Sequence, residues 1–186
     1  MNGYRGVSFS SADLTRAACD AACDAILAEG GCAAIVPTVV TASAETYEAV
    51  LPILADAIED ARFDGRLLGI HLEGPFISDQ RGAVGAHPAR HVVRATEGRR
   101  LLDTWQTLAR GHIRLITIAA ESEGAAELCA HAVRLGIAVS LGHQLAGAAE
   151  IGALADAGAT LLTHLGNGCP NVIHRHDNHL WPALAD

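Results

Sequence analysis

Apolar segments of strand length alternate with longer segments of helical periodicity along the chain, and this alternation constrains the fold more than any other feature. Each strand is separated from the next by a helix, which is typical of right-handed βαβ units and a parallel sheet. The sequence therefore predicts an α/β fold with five parallel strands. The predicted strands cover residues 32–40, 67–72, 113–119, 137–143 and 159–164.

The segments between the strands are assigned from caps and turn residues. Ser11 is expected to cap the first helix and Gly30-Gly31 to end it. Pro37 lies inside the first strand, and because proline removes a ladder donor, we expect it at the strand's end or on a bulge. Residues 2–10 are predicted to be a loop, and no clear periodicity follows Cys169. The predicted helices cover residues 12–29, 44–61, 95–109, 124–135 and 146–157.

Composition limits the partners and the compartment. Thirteen basic and 21 acidic residues give a net charge of −8, which argues against nucleic acid or an anionic membrane as the main partner. The apolar runs are too short to span a membrane, and the N-terminal residues lack the apolar core of a signal peptide. The 5 cysteines form no CxxC pair, which favours reduced thiols. These features predict a cytoplasmic protein.

Three of the predicted strands end in side chains that bind metals. Glu73 ends the second strand, and His143 and His164 end the last two. Because the carboxyl ends of parallel strands line the ligand crevice, these side chains are expected to converge on a divalent metal. The alternatives are an ion-paired glutamate and hydrogen-bonded core histidines. His71, on the same side of its strand as Glu73, is either a supporting partner of that site or a buried core histidine.

Four motifs in chain order carry a family resemblance. They are His71-Leu72-Glu73-Gly74-Pro75-Phe76, Gly85-Ala86-His87-Pro88, Ser140-Leu141-Gly142-His143 and Thr163-His164-Leu165-Gly166-Asn167-Gly168. Together they resemble the N-acetylglucosamine-6-phosphate deacetylases of the amidohydrolase superfamily. The resemblance implies a (β/α)₈ TIM-type barrel, of which this chain supplies about strands 2–6. It also implies removal of acetate from an N-acetyl amino-sugar 6-phosphate, in amino-sugar catabolism.

The same resemblance implies the residues that hold the cofactor. It assigns Glu73, His143 and His164 as ligands of one divalent metal ion. Zinc and iron(II) each suit two imidazoles and one carboxylate, and three protein ligands leave a position for water.

Substrate contacts are also implied by the resemblance. Ala86 and His87 match the loop that contacts the sugar, and Asn167 and Gly168 match the segment that meets the substrate phosphate. Arg175 matches an arginine that reaches the phosphate of the neighbouring subunit, which implies a homodimer.

The histidine-rich tail allows other interpretations from the residues alone. Arg175 is then a solvated surface residue. The histidines at 174, 176 and 179 could form an extra metal site, but the Asn and Asp residues between them favour a polar loop.

The chain also departs from the family pattern. The resemblance implies a general acid/base aspartate on the eighth barrel strand, which is expected beyond residue 186. The first strand, the last strands and the small β-sandwich domain are not recognised either. We therefore interpret residues 1–186 as a single segment of a metal-dependent hydrolase barrel. The alternatives are a truncated, non-catalytic metal-binding remnant, and an amidohydrolase that acts on another substrate.

Overall fold

The alternation of strands and helices is present in the structure, a computed structural model that describes residues 1–185. No helix among these residues is long and apolar enough to cross a membrane. The strands are β1 (Gly3–Tyr4), β2 (Val7–Ser8), β3 (Thr38–Val40), β4 (Ile70–Glu73), β5 (Ile113–Ile118), β6 (Ala138–Leu141) and β7 (Leu161–Leu162). The helices are α1 (Arg16–Glu29), α2 (Ala44–Ile58), α3 (Gly98–Leu108), α4 (Ala125–Arg134), α5 (Ala148–Asp156) and α6 (Leu180–Ala185).

The five predicted parallel strands form one sheet in the order β3-β4-β5-β6-β7. The predicted α/β fold class is therefore confirmed. The chain divides into two compact units, which are described in turn. The first comprises residues 1–73 and 103–114, and the second comprises residues 74–102 and those from 115 onward.

In the first unit, β3 and β4 pair in parallel with Val40 opposite Glu73. The first sheet strand is shorter than predicted because it begins only at Thr38, directly after Pro37. Pro37 thus lies at the strand's end, as expected, and its carbonyl oxygen accepts a hydrogen bond of 2.9 Å from the backbone N–H of His71. This pairing carries Glu73, which is buried, to the carboxyl end of β4.

Two local predictions in the first unit are wrong. The N-cap of α1 is Thr15, whose Oγ1 accepts a hydrogen bond of 3.2 Å from Ala18 N–H, whereas Ser11 Oγ accepts from Asp13 N–H in the preceding turn. Residues 2–10 contain the β1–β2 hairpin instead of a loop. Its turn has positive φ at Arg5 (48°) and Gly6 (81°), the conformation that two-residue hairpins favour.

The core of the first unit lies between α1 and α2 and behind β3 and β4. Tyr47 on α2 is buried and stacks on Trp105, with ring centroids 4.3 Å apart. Leu51 and Leu54, on the same helix, are fully buried. These apolar contacts fix the two strands that end near Val40 and Glu73.

In the second unit, the strand registers align two of the predicted metal ligands. Leu141 on β6 lies opposite Leu162 on β7. His143 and His164 each follow two residues later, so they occupy equivalent positions on neighbouring strands. Behind them the Thr163 hydroxyl lies 2.9 Å from Thr117 Oγ1 and 2.7 Å from Ser140 Oγ, which ties the ends of β5, β6 and β7 together.

Candidate metal and substrate site

His143 is fixed in one orientation by its surroundings. Its ring is buried, and Nδ1 lies 2.8 Å from the carbonyl oxygen of Ala83. Because a carbonyl oxygen only accepts, Nδ1 must carry the proton, and Nε2 is left with a free lone pair that can bind a metal ion. A backbone carbonyl on the second ring nitrogen is the arrangement that orients metal-binding histidines.

Two glycines pack against the His143 ring. A Cβ on Gly168 would lie 3.3 Å from both the backbone N and Nδ1 of His143, and a Cβ on Gly85 would lie 3.3 Å from its Cε1. Both glycines have positive φ, 65° and 59° respectively. Glycine is therefore favoured at each position for its backbone conformation and for the close approach of the imidazole.

His164 resembles His143 in its backbone as well as in its register. Their φ angles are 54° and 52°, in a left-handed region that residues other than glycine rarely adopt and that is enriched at functional sites. The two rings meet edge to face with centroids 5.3 Å apart. His164 is exposed, in contrast to His143.

His87 lies on the long loop between β4 and α3, in the segment 77–92, and reaches the same place. Its ring lies edge to face with His143, with centroids 4.4 Å apart. Ala86, the preceding residue, is exposed, and His87 is half-buried. The loop therefore brings a third imidazole beside the two that follow β6 and β7.

In the second unit, His87 and His143 each offer an imidazole nitrogen, and these ligand atoms lie within 4.8 Å of each other. In the first unit, Glu73 offers a carboxylate at the end of β4. A carboxylate and two imidazoles suit zinc or iron(II). Glu73, His143 and His164 were predicted as metal ligands and His87 as a sugar contact, and these roles stay predictions. The His164 ring lies beside that of His143 in the second unit.

His71 is a buried residue with a hydrogen-bonding partner on the adjacent strand. Thr38 Oγ1 lies 3.3 Å from its Nδ1. This contact satisfies one ring nitrogen inside the first unit, as expected for a core histidine. A supporting role toward the metal stays a prediction.

The predicted phosphate residues occupy different environments. Gly168 and Asn167 line a narrow pocket together with His143 and His164. Gly168 is buried, whereas Asn167 is exposed and donates its backbone N–H to the His164 carbonyl oxygen. Arg175 is exposed and does not line this pocket. The structure therefore brings the first two residues to the histidines and leaves Arg175 outside.

Two polar residues of the pocket were not predicted. Gln144 and His179 line it, and both side chains are buried. His179 was assigned to a polar loop, but it directly precedes helix α6. The apolar residues Leu180, Trp181 and Leu184 are spaced as in a helix, and this was the signal that could have placed the histidine at a helix start.

Known proteins similar to this chain are sugar-phosphate deacetylases, although no protein-family model matches it. It is 35% identical over 176 residues to the N-acetylglucosamine-6-phosphate deacetylase of Bos taurus, which covers 94% of this chain and 42% of that protein. It is 36% identical over 155 residues to the N-acetylgalactosamine-6-phosphate deacetylase of Shewanella sp. (strain ANA-3), covering 83% of this chain and 37% of that protein.

A solved structure matches the whole chain. It is a mutant of the N-acetyl-D-glucosamine-6-phosphate deacetylase from Mycobacterium smegmatis in complex with N-acetyl-D-glucosamine-6-phosphate. The match has a TM-score of 0.85 and 29% identity, and it covers 100% of this chain and 46% of that chain. The chain therefore spans less than half the length of these relatives. Its resemblance to the deacetylases and its fold as part of their barrel are confirmed.

Proposed function

We propose that this chain is part of a metal-dependent hydrolase that removes acetate from an N-acetyl amino-sugar 6-phosphate. With N-acetylglucosamine 6-phosphate the products would be glucosamine 6-phosphate and acetate, a step of amino-sugar catabolism. The observation that carries the proposal is the alignment with such a deacetylase over 94% of this chain, whose second unit brings the imidazoles of His143 and His164 together. A cytoplasmic location and a homodimer belong to the same proposal.

The ligand set we propose is Glu73, His143 and His164. His143 and His164 share register and backbone conformation, and the Ala83 carbonyl presents Nε2 of His143 for coordination. A divalent ion bound there would polarise the amide carbonyl of the substrate and lower the pKa of a water molecule bound to the ion. His87 and Ala86 lie on a loop and not at a strand end, and we assign them to contact the sugar.

The phosphate contacts are proposed to be local. This chain has a net charge of −8, which does not attract a phosphomonoester, so nearby donors must supply the selectivity. Asn167 and Gly168 lie beside the histidines and offer an amide and a backbone N–H. Arg175 is exposed, as required of a guanidinium that reaches the site of a neighbouring subunit.

The two alternatives receive less support. The similar proteins named above are deacetylases of acetylated amino-sugar 6-phosphates, which argues against a different amidohydrolase substrate. A non-catalytic remnant would have no need to keep His143 and His164 in left-handed conformations at matching positions.

Metal binding by single variants tests the ligand assignment. We expect Glu73→Ala and His164→Ala to lose zinc by equilibrium dialysis, each with at least about tenfold weaker affinity, because a ligand is removed. His87→Ala should keep the metal and weaken binding of the sugar phosphate. If His87→Ala loses the metal and His164→Ala keeps it, His87 is the metal ligand and His164 is not. Retention in Glu73→Ala would refute the site.

Acetate release tests the reaction. The full-length protein should release acetate from N-acetylglucosamine 6-phosphate and much less from unphosphorylated N-acetylglucosamine. Arg175→Ala should reduce this preference by about ten- to a hundredfold, the value of a charge-assisted hydrogen bond. The control is Arg134→Ala, which removes an exposed arginine from α4. Equal turnover of both sugars by the wild type would contradict the proposed substrate.

A further inference from the structure

His164 has a backbone conformation that its surroundings must enforce. Its φ of 54° lies in the left-handed region, which a residue with a side chain adopts only at an energetic cost. Such a conformation persists when the surrounding structure fixes it. Because His164 is exposed, burial of its own side chain contributes little to this restraint. The residues before and after it in the chain therefore have to supply the restraint.

Thr163, directly before His164, bridges two buried hydroxyl groups. Its Oγ1 lies 2.7 Å from Ser140 Oγ on β6 and 2.9 Å from Thr117 Oγ1 on β5. Ser140 and Thr117 are buried and lie directly opposite each other in the sheet. A hydroxyl carries one proton and also accepts, so Thr163 can donate to one of these groups and accept from the other. Two such bonds hold its side chain in one rotamer.

The backbone of Thr163 is held as well as its side chain. Its N–H donates to the Leu141 carbonyl oxygen at 2.7 Å, which continues the pairing of β7 with β6 beyond Leu162. Gly142, directly after β6, is the residue against which Thr163 packs. A Cβ on Gly142 would lie 2.9 Å from both the Cβ and the carbonyl oxygen of Thr163. Only a residue without a side chain therefore allows Thr163 to approach β6 this closely.

The turn after His164 restrains it from the other side. The Asn167 N–H donates to the carbonyl oxygen of His164. His164 thus lies between this turn and Thr163, which makes the three hydrogen bonds described above. Since two of those bonds reach β5 and β6, the position of His164 depends on strands other than its own.

We propose that Thr163 is a positioning residue for His164, and that its hydroxyl keeps the histidine in the conformation from which it binds the metal. This role rests on the proposed function of His164 as a metal ligand. Valine has nearly the shape of threonine but no hydroxyl, so it cannot bond to Ser140 or Thr117. The conformation of His164 does not depend on bound metal and can be measured separately.

Zinc binding to the full-length protein tests the role. Thr163→Val removes the hydroxyl, and we expect zinc affinity to fall by about 10- to 100-fold, as is usual when a group that orients a metal ligand is lost. Thr163→Ser keeps the hydroxyl and should keep the wild-type affinity. Adding Ser140→Ala to Thr163→Val should weaken zinc binding no further, because both changes break the same contact.

A matched control lies three residues earlier. Thr160→Val makes the same change at an exposed threonine and should leave zinc affinity unchanged. A merely structural role of Thr163 would lower the unfolding free energy of Thr163→Val without changing its zinc affinity. That result, or an equal loss of zinc affinity in Thr163→Ser and Thr163→Val, would overturn the proposal.

The zinc-free protein separates this proposal from the ligand assignment. With 13C-labelled histidine, the backbone chemical shifts of His164 report its conformation. We expect these shifts to change in Thr163→Val and to stay at the wild-type values in Thr163→Ser and Thr160→Val. If His164→Ala binds zinc as tightly as the wild type, the proposed ligand role of His164 fails, and the shifts still decide the positioning. Wild-type shifts in Thr163→Val would show that its hydroxyl does not position His164.

Discussion

Replacing Gly168 with alanine should weaken metal binding through a residue that is not itself a ligand. Gly168 has φ of 65°, and an added Cβ would lie 3.3 Å from the backbone N and Nδ1 of His143. This separation is tighter than most Cβ contacts, and both nearby atoms belong to a buried residue, so the imidazole must shift by a few tenths of an ångström. A displaced ring no longer holds its hydrogen bond to Ala83 at 2.8 Å.

The effect can be separated from backbone strain by a second glycine in the same loop. Gly166 also has positive φ, 80°, but a Cβ there meets nothing within 4 Å. Both substitutions should therefore cost about 1–2 kcal/mol of stability for the left-handed backbone. Only Gly168→Ala should also lower zinc affinity, by about 10- to 100-fold, as is usual when the group that orients a ligand is disturbed.

Urea denaturation and zinc titration of the two variants provide the assay. The expected result is a similar loss of unfolding free energy in both and a loss of zinc affinity in Gly168→Ala alone. Equal zinc affinity in the two variants would refute the reasoning, because it would mean that the position of the His143 ring does not determine metal binding.

Two further predictions concern the rest of the chain. Thr15→Ala should lower the unfolding free energy by about 0.5–2 kcal/mol, since Thr15 caps α1, and Ser11→Ala should lower it less; equal losses in urea denaturation would contradict the assigned cap. Cys32 and Cys169 should react with a thiol reagent in the folded protein at neutral pH, whereas the two thiols of α1 and Cys129 should react only after unfolding. Burial raises the pKa of Cys129 to about 11, so it stays protonated as well as inaccessible; its rapid labelling in the native state would contradict the structure.

The sequence by itself determined the fold class. The periodicity of apolar residues is a local property of the sequence, and each predicted sheet strand is present. All five strands are shorter than predicted, β3 and β7 most of all. Pro37 was placed correctly at the strand's end because proline has no backbone N–H to donate to a neighbouring strand, whatever the tertiary structure. The cap of α1 was not predicted, since several nearby residues could cap the helix. The β1–β2 hairpin was not predicted either, since nothing in the sequence at Arg5 indicates a positive φ.

The sequence also pointed to Glu73, His143 and His164, because polar residues that end apolar strands of a parallel sheet face the same edge. Their roles stay predictions. Only the tertiary structure brought His87 beside His143, fixed the His143 tautomer through the Ala83 carbonyl, and placed His179 in the pocket. Each of these contacts joins residues that are far apart in the chain, and loops that carry such residues have no periodicity from which their path can be read.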